Sequence, residues 1–242
     1  KTYPYKFEPP HRLSDISRLA RRLTNTAVGL VLGGGGARGY AHIGAIQALE
    51  RAGIPIDMVG GCSIGAFMGA LYSSYQDSTY MIRRANRFAD FHKSMLQVLT
   101  DLTLPLLSFF TGSRFNSVLF SIFKDRNIED LLLPYFCTST DISSHQLKIH
   151  SSGSLWRYCR ASMTLLNFLP PICDPKNNHL LIDGGYLNIL PVDIMIKKGI
   201  KYVIAINVSR ESNDCLGNYG DQLSGWTILW NKINPFCKKL IV

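Results

Sequence analysis

The chain has 242 residues, 46% of them hydrophobic and 18% charged, which is ordinary globular composition with enough length for one large α/β core. Its net charge of +9 is scattered, and the densest group, Arg18, Arg21 and Arg22, has only helical spacing. Without a basic stripe interleaved with aromatics, nucleic acid is a poor partner, and attraction to an anionic lipid surface is the better use of the charge.

Six cysteines (62, 137, 159, 173, 215 and 237) stand singly with no C-x-x-C pair, so they read as free thiols and no zinc framework is expected. No metal site is expected at all. Asp101 interrupts "MLQVLTDLTLPLLSFF", and no run approaches the roughly 20 apolar residues of a spanning helix. Nothing resembles a secretion signal. The sequence opens at Lys1 rather than methionine and closes without a capping signal, from which we expect a piece of a longer protein, truncated at its C-terminus.

In chain order, residues 1–12 carry three prolines and read as an extended lead-in, followed by a helix behind Ser14, a residue suited to cap it. "AVGLVL" is a buried-type strand that ends in "GGGGARG"; residues 40–52 then form a helix stopped by Gly53. A second strand, 56–59, meets two glycines, one serine and a third glycine before the small, apolar helix "AFMGALY". Helical segments between Thr79 and Lys124 are broken at Pro105 and Gly112. "LPYFCTSTDIS" and "QLKIH" read as strands, "SLWRYCRASM" as a short helix, and "HLLIDGG" as a strand meeting a turn. "PVDIMIKKG" is a helix between Pro191 and Gly199, and "KYVIAINV" a further buried strand. Continuous apolar strands alternating with helices predict a three-layer α/β/α fold around a mainly parallel central sheet. Residues 1–27 form the lead-in and helix, and 28–242 one domain.

Functional groups in such sheets gather where strands end and helices begin. Gly61, Ser63 and Gly65 form a G-x-S-x-G run at such a junction, the pattern of a nucleophile elbow whose small neighbours permit a tight, strained turn. The plain alternative is a glycine-rich packing turn. Cys62 is a rival nucleophile, but adjacent elbow side chains point in different directions, and Cys62 reads as a small buried residue on the sheet side.

Gly34, Gly36 and Gly39 give G-x-G-x-x-G, yet a dinucleotide fingerprint needs an acid at the end of the second strand, and Asp57 stands at its beginning. No Lys-Ser/Thr follows, which excludes a P-loop. Successive glycines Gly34, Gly35 and Gly36 instead offer bare amides as an oxyanion site, with Arg38 facing an anion or fixing the loop. None of the six histidines stands in a strand-end loop followed by glycine; His42 reads as structural and His179 is the runner-up base. Asp183, ending a strand before Gly184 and Gly185, is the better candidate, provided a partly dry cleft raises its proton affinity.

Elbow, glycine loop and Asp-Gly-Gly together resemble the patatin-like phospholipase family, and within it the neuropathy target esterase type. The likeness runs through "LGGGGARGYAHIG", "GGCSIGAFMGALY", "DLTLPLLSFFTGSRFN", "IEDLLLPYF", "SLWRYCRASMTL", "HLLIDGGY" and "YGDQLSGW". It implies a Ser63–Asp183 dyad without histidine or cofactor, and an oxyanion site from glycines 34, 36 and 39 with Arg38. It also implies hydrolysis of lysophospholipids, notably lysophosphatidylcholine, at the cytosolic face of the endoplasmic reticulum, anchored by segments outside this chain. The chain differs from the family pattern at Cys62, Ala66, Ile189 and Asn207. A catalytically weak lipid-binding module and an acyltransferase using the same serine are the alternatives. "MLQVLTDLTLPLLSFF" and "WTILWNKINPFCKKLIV" are expected to line the lipid cleft or lie at a membrane surface, or else to pack as core helices.

Overall fold

The computed structural model describes residues 11, 12, 14–90, 100–104, 106–209 and 224. The chain divides into two compact units, Lys1–Ser209 and Arg210–Val242. Apart from Ser224, the second unit lies outside the described residues, and with it the expected interfacial segment at 226–242. The lead-in before residue 11 also lies outside them, as do residues 95–99 of the apolar segment.

The first unit opens on helix α1 (Asp15–Leu23), capped by Ser14, whose Oγ accepts from the Ser17 amide. Arg21 of α1 grips the buried Asp57 carboxylate at 2.6 Å, and Asp57 also accepts from the Val28 amide. A residue at the wrong end for a ribose is thus the rivet between α1 and the sheet.

Strand β1 (Val28–Leu32) leads through a glycine loop and a 3₁₀ turn, Gly36–Tyr40, into α2 (Ala41–Arg51). Then come β2 (Met58–Cys62), α3 (Ile64–Tyr75), α4 (Ser78–Asp90) and α5 (Ser113–Phe123). Strand β3 (Tyr135–Asp141) turns back as β4 (Gln146–His150), followed by α6 (Leu155–Ser162) and the short β5 (Ile172–Cys173). The described unit closes with β6 (Leu180–Asp183), α7 (Val192–Lys197) and β7 (Tyr202–Ile206).

One sheet joins these strands along the path β5-β6-β3-β2-β1-β7, with β4 also paired to β3. Along the stretch β3-β2-β1-β7 the strands pair in parallel, while β3 with β4, β3 with β6, and β5 with β6 are antiparallel. Alternation along β1 builds the layers. Leu30 and Leu32 face the core that holds α3, whereas Val31 meets Ile194 and Met195 of α7 on the other side. Every residue of α3 from Ile64 to Ser74 is buried, which explains its all-round small and apolar composition. Strand β7, expected to be buried, is only half covered because β1 is its one strand partner among the described residues.

The register of β3 brings two strand ends together. Both β4 and β6 pair with residues 139–141, so they occupy opposite edges; β4 and β2 both pair with 137 and 138, so they too are opposed. Strands β2 and β6 therefore share one edge of β3. One is parallel to β3 and the other antiparallel, so they run head to head, and their last residues sit opposite Thr138 and Ser139.

Candidate active site

The last residue of β2 is Cys62 and the last of β6 is Asp183, so the elbow and the acid turn arrive at one place. Ser63 Oγ donates to Asp183 Oδ2 at 2.6 Å. Ser63 holds φ 53°, ψ −125°, a conformation that costs a non-glycine residue on the order of 1–3 kcal/mol and survives only when its surroundings enforce it.

The enforcement is steric on both flanks. A Cβ on Gly61 would lie 2.4 Å from the Gly65 carbonyl oxygen, and one on Gly65 would lie 2.1 Å from that of Leu32. No larger residue lets α3 begin so close to β1. The acid turn is packed in the same way, since a Cβ on Gly184 would meet the Thr138 carbonyl oxygen at 2.6 Å.

Asp183 is only 3% exposed. Burial raises its pKa above the ordinary carboxylate value; hydrogen bonds from Ser63, from the Gly185 amide at 2.7 Å and from Cys62 work in the opposite direction. Cys62 Sγ lies 3.8 Å from Asp183 Oδ1, and burial beside that carboxylate pushes the thiol far above its usual range. It stays a neutral thiol and is no rival to Ser63 as a nucleophile.

The glycine loop stands across from this pair. Gly34, Gly35, Gly36, Ser63 and Asp183 line a cavity of about 260 Å³ closed by Leu165, Gly185, Tyr186 and Ile189. The loop amides are not equivalent. The Gly34 N–H donates to the Ile189 carbonyl at 3.1 Å, so it is not available to an oxyanion. Gly34 acts by being small, for a Cβ there would sit 3.3 Å from that of Ser63. Among the described residues no group accepts from the Gly35, Gly36 or Ile64 amides. The Ile64 amide opens the helix behind the elbow, where the strand–serine–helix pattern leads one to expect N–H groups aimed at a charge formed beside Ser63.

Arg38 is exposed and lines neither cavity at Ser63; its amide closes the loop onto the Gly35 carbonyl at 3.2 Å. Of the two roles expected of Arg38, facing an anion or fixing the loop, this contact fits the second. Gly39 is buried against Ile64, where a Cβ would clash at 2.2 Å, so its lack of a side chain lets the loop seat on α3. A second cavity, of about 410 Å³, meets the first at Ser63, Gly36 and Leu165 and runs between Tyr40, Phe88, Phe115, Met163 and Phe168. Ser63 thus stands at the junction of two cavities, one walled by the glycine loop and the acid turn, the other by aromatic and aliphatic side chains.

The comparisons with known proteins fit this geometry. The model of the family described as patatin-like phospholipase matches residues 30–196, a span that includes Ser63 and Asp183. The chain belongs to the patatin-like phospholipase family. Patatin-like phospholipase domain-containing protein 7 of Mus musculus is 53% identical over 234 residues, covering 97% of this chain and 17% of the relative. Patatin-like phospholipase domain-containing protein 6 of Homo sapiens is 53% identical over 231 residues, covering 96% and 17%. Neuropathy target esterase sws of Drosophila melanogaster is 52% identical over 227 residues, covering 94% and 16%. The chain spans about a sixth of the length of these curated relatives. The crystal structure of VipD from Legionella pneumophila is similar with a TM-score of 0.47 and 16% identity, over 67% of this chain and 46% of that one.

Three histidines of this patatin-like chain hold backbone or buried polar groups. His42 Nε2 lies 2.9 Å from the Gly33 carbonyl and steadies the glycine loop. His179 Nδ1 pairs with Asp141 at 2.7 Å, and His150 pairs with Ser139. No histidine among the described residues lines either cavity at Ser63.

Two residues that sequence reasoning missed hold both halves of the site. Ser162 Oγ, at the end of α6, accepts from the Ser63 amide at 2.9 Å. The Thr164 carbonyl, two residues on, accepts from the Asp183 amide at 2.9 Å. Thr164 is in turn held by the fully buried Arg160, which also donates to Asn116 Oδ1 at 2.9 Å and to the Pro170 carbonyl at 3.2 Å. One short segment clamps serine and acid to the same base.

Proposed function

We propose that this chain is a serine lipid hydrolase that cleaves the fatty acyl ester of lysophospholipids. Lysophosphatidylcholine is the favoured substrate, giving a fatty acid and glycerophosphocholine. One observation carries the reading: the hydroxyl of Ser63, held on a strained backbone, lies 2.6 Å from a buried carboxylate where two cavities meet, the larger of them lined by aromatic side chains. The names of the relatives, phospholipase and esterase, support ester hydrolysis as the reaction.

The acyl chain occupies the apolar cavity beneath Phe88 and Phe115, and the glycerophospho end lies toward Tyr186 and Ile189. Ser63 Oγ attacks the ester carbonyl carbon while Asp183 Oδ2 takes its proton. The oxyanion is held by the amides of Gly35, Gly36 and Ile64; losing one such preorganised donor typically costs about 3 kcal/mol of barrier. As the tetrahedral species collapses, the C–O bond to glycerol breaks and Asp183 returns the proton to the leaving alkoxide. Water then attacks the acyl-serine, giving its proton to Asp183, and collapse restores the Ser63 hydroxyl with release of the fatty acid. Every step uses side chains and amides of this chain, substrate and water. We assign the reaction to the cytosolic face of the endoplasmic reticulum.

The test is turnover of lysophosphatidylcholine by the purified chain. Ser63→Ala and Asp183→Asn should each abolish fatty-acid release while retaining the fold, and a fluorophosphonate should label Ser63 alone. Substantial hydrolysis by either variant would overturn the dyad.

A further inference from the structure

The surface around the cavity mouth has an unusual composition. In a chain with 18% charged residues, the segments 102–113, 161–173 and 184–192 contain no Asp, Glu, Lys, Arg or His. Backbone and side-chain bonds draw all three around the mouth. The Phe109 amide donates to the Asn167 carbonyl at 2.7 Å, and the Leu166 amide to Tyr186 Oη at 3.1 Å. The third segment supplies the Ile189 carbonyl to the glycine loop.

The first segment carries the most exposed apolar side chains of the three. Leu102 and Phe110 pair as an antiparallel bridge, and the Thr103 amide donates to the Phe109 carbonyl at 3.0 Å. At the hairpin's foot, the buried Asp101 accepts from Thr111 through both backbone and side chain. This tied hairpin holds Leu104, Leu106 and Leu107 in solvent at 72%, 88% and 65% exposure. Three leucines this exposed within four positions of an anchored hairpin make a cluster of apolar surface, the kind that marks an interaction site.

We propose that this hairpin is the leading edge of a membrane-docking face, with Leu104, Leu106 and Leu107 entering the acyl region of a lipid surface. The inference rests on the lipid-hydrolase reading above. Continuity identifies the occupant. Asn167, which holds the hairpin, lies between Leu165 and Phe168 of the apolar cavity wall. A lipid lifted from the layer would pass from the leucines to the acyl cavity along an uncharged path, with its ester arriving at Ser63. A protein partner would gain little from an apolar ridge that is tied, through the Phe110 amide and the Phe168 carbonyl, to the wall of an open cavity.

The test combines Leu104→Gln, Leu106→Gln and Leu107→Gln in the full 242-residue chain. Flotation is measured with vesicles of phosphatidylcholine, alone and mixed with phosphatidylserine. The triple variant should bind both vesicle types at least about tenfold more weakly, because most of the inserted apolar surface is gone. Hydrolysis of soluble 4-nitrophenyl butyrate should stay at the wild-type rate, while turnover of vesicle-borne lysophosphatidylcholine falls with binding.

Vesicle binding by the variant equal to that of the wild type would overturn the proposal. So would a wild-type chain that self-associates through these leucines in size-exclusion chromatography and ignores vesicles. If the wild type binds vesicles through the leucines yet cleaves no ester, the docking face stands and the hydrolase reading falls.

Discussion

Gly65→Ala is the smallest change that tests whether sterics create the elbow. The added methyl carbon would stand 2.1 Å from the Leu32 carbonyl oxygen and 2.7 Å from that of Gly33, both backbone atoms of the chain leaving β1. Restoring an ordinary contact of 3.4 Å requires α3 and β1 to separate by about 1.3 Å. Overpacking of this kind typically costs 1–3 kcal/mol, which lowers the melting temperature by roughly 2–4 °C per kcal/mol in a chain of this size. Ser63 opens α3 and the glycine loop follows β1, so the same separation pulls the Ser63 hydroxyl away from the Gly35 and Gly36 amides, which the proposed mechanism needs together. A misplacement of about 1 Å costs on the order of a hundredfold in rate. Gly44→Ala is the matched control, since that position is an exposed turn of α2 with nothing within 4 Å of the added carbon. It should stabilise by up to about 1 kcal/mol through helix propensity and leave turnover unchanged. The assay pairs thermal melts with hydrolysis of a soluble ester. Wild-type melting and turnover in Gly65→Ala would refute the steric account.

The remaining expectations concern the acid and the clamp. Asp183 must be ionised to accept a proton, and burial raises its pKa above the ordinary 3.8 of aspartate; kcat/KM should therefore fall on an acid limb lying above that value. With its folded pKa above its unfolded one, Asp183 adds stability that is full below the unfolded pKa and is lost as pH rises through the folded one. Asp183→Asn should thus melt higher than the wild type at neutral pH, with the gap closing as pH falls; a lower melting point at neutral pH would contradict it. Arg160→Met removes the donors from Asn116, Thr164 and Pro170 and should cost about 2–3 kcal/mol in urea unfolding, with a fall in kcat because Thr164 fixes Asp183. A change within about 0.5 kcal/mol would show that the buried guanidinium carries no structural role.

Local signals made much of this molecule readable. The β1 and β2 runs, the helix capped by Ser14, and the glycines of the elbow and acid turn all announce themselves through period, capping chemistry or missing side chains. Pairing between distant segments has no such signal. Nothing in "HLLIDGG" says that it runs antiparallel along the edge of β3 that β2 also uses, so the antiparallel half of the sheet could not be read. Ser162 and Thr164 were invisible for the same reason, since polar residues after a short helix look like any helix end. The glycine loop was read as uniform because a sequence does not reveal that the Ile189 carbonyl consumes the Gly34 amide. Its place in the loop left Arg38 two roles, facing an anion or fixing the loop, and only the folded chain shows its amide closing the loop and its side chain exposed.

The sheet topology also explains why a carboxylate alone can stand beside the serine. Strands that meet head to head on one edge, opposite the consecutive residues Thr138 and Ser139, leave no residue's width between their ends. At 2.6 Å the Ser63 and Asp183 oxygens are already in hydrogen-bond contact, and no imidazole fits between them. A base in that position must be short, which selects aspartate, and must be stronger than aspartate in water. The same packing supplies the second property, because the sheet and the Ser162–Thr164 clamp that close the gap also keep Asp183 at 3% exposure. Proximity and basicity then have one origin, the shared edge of β3. A change that loosens that edge without touching either side chain should therefore weaken both together.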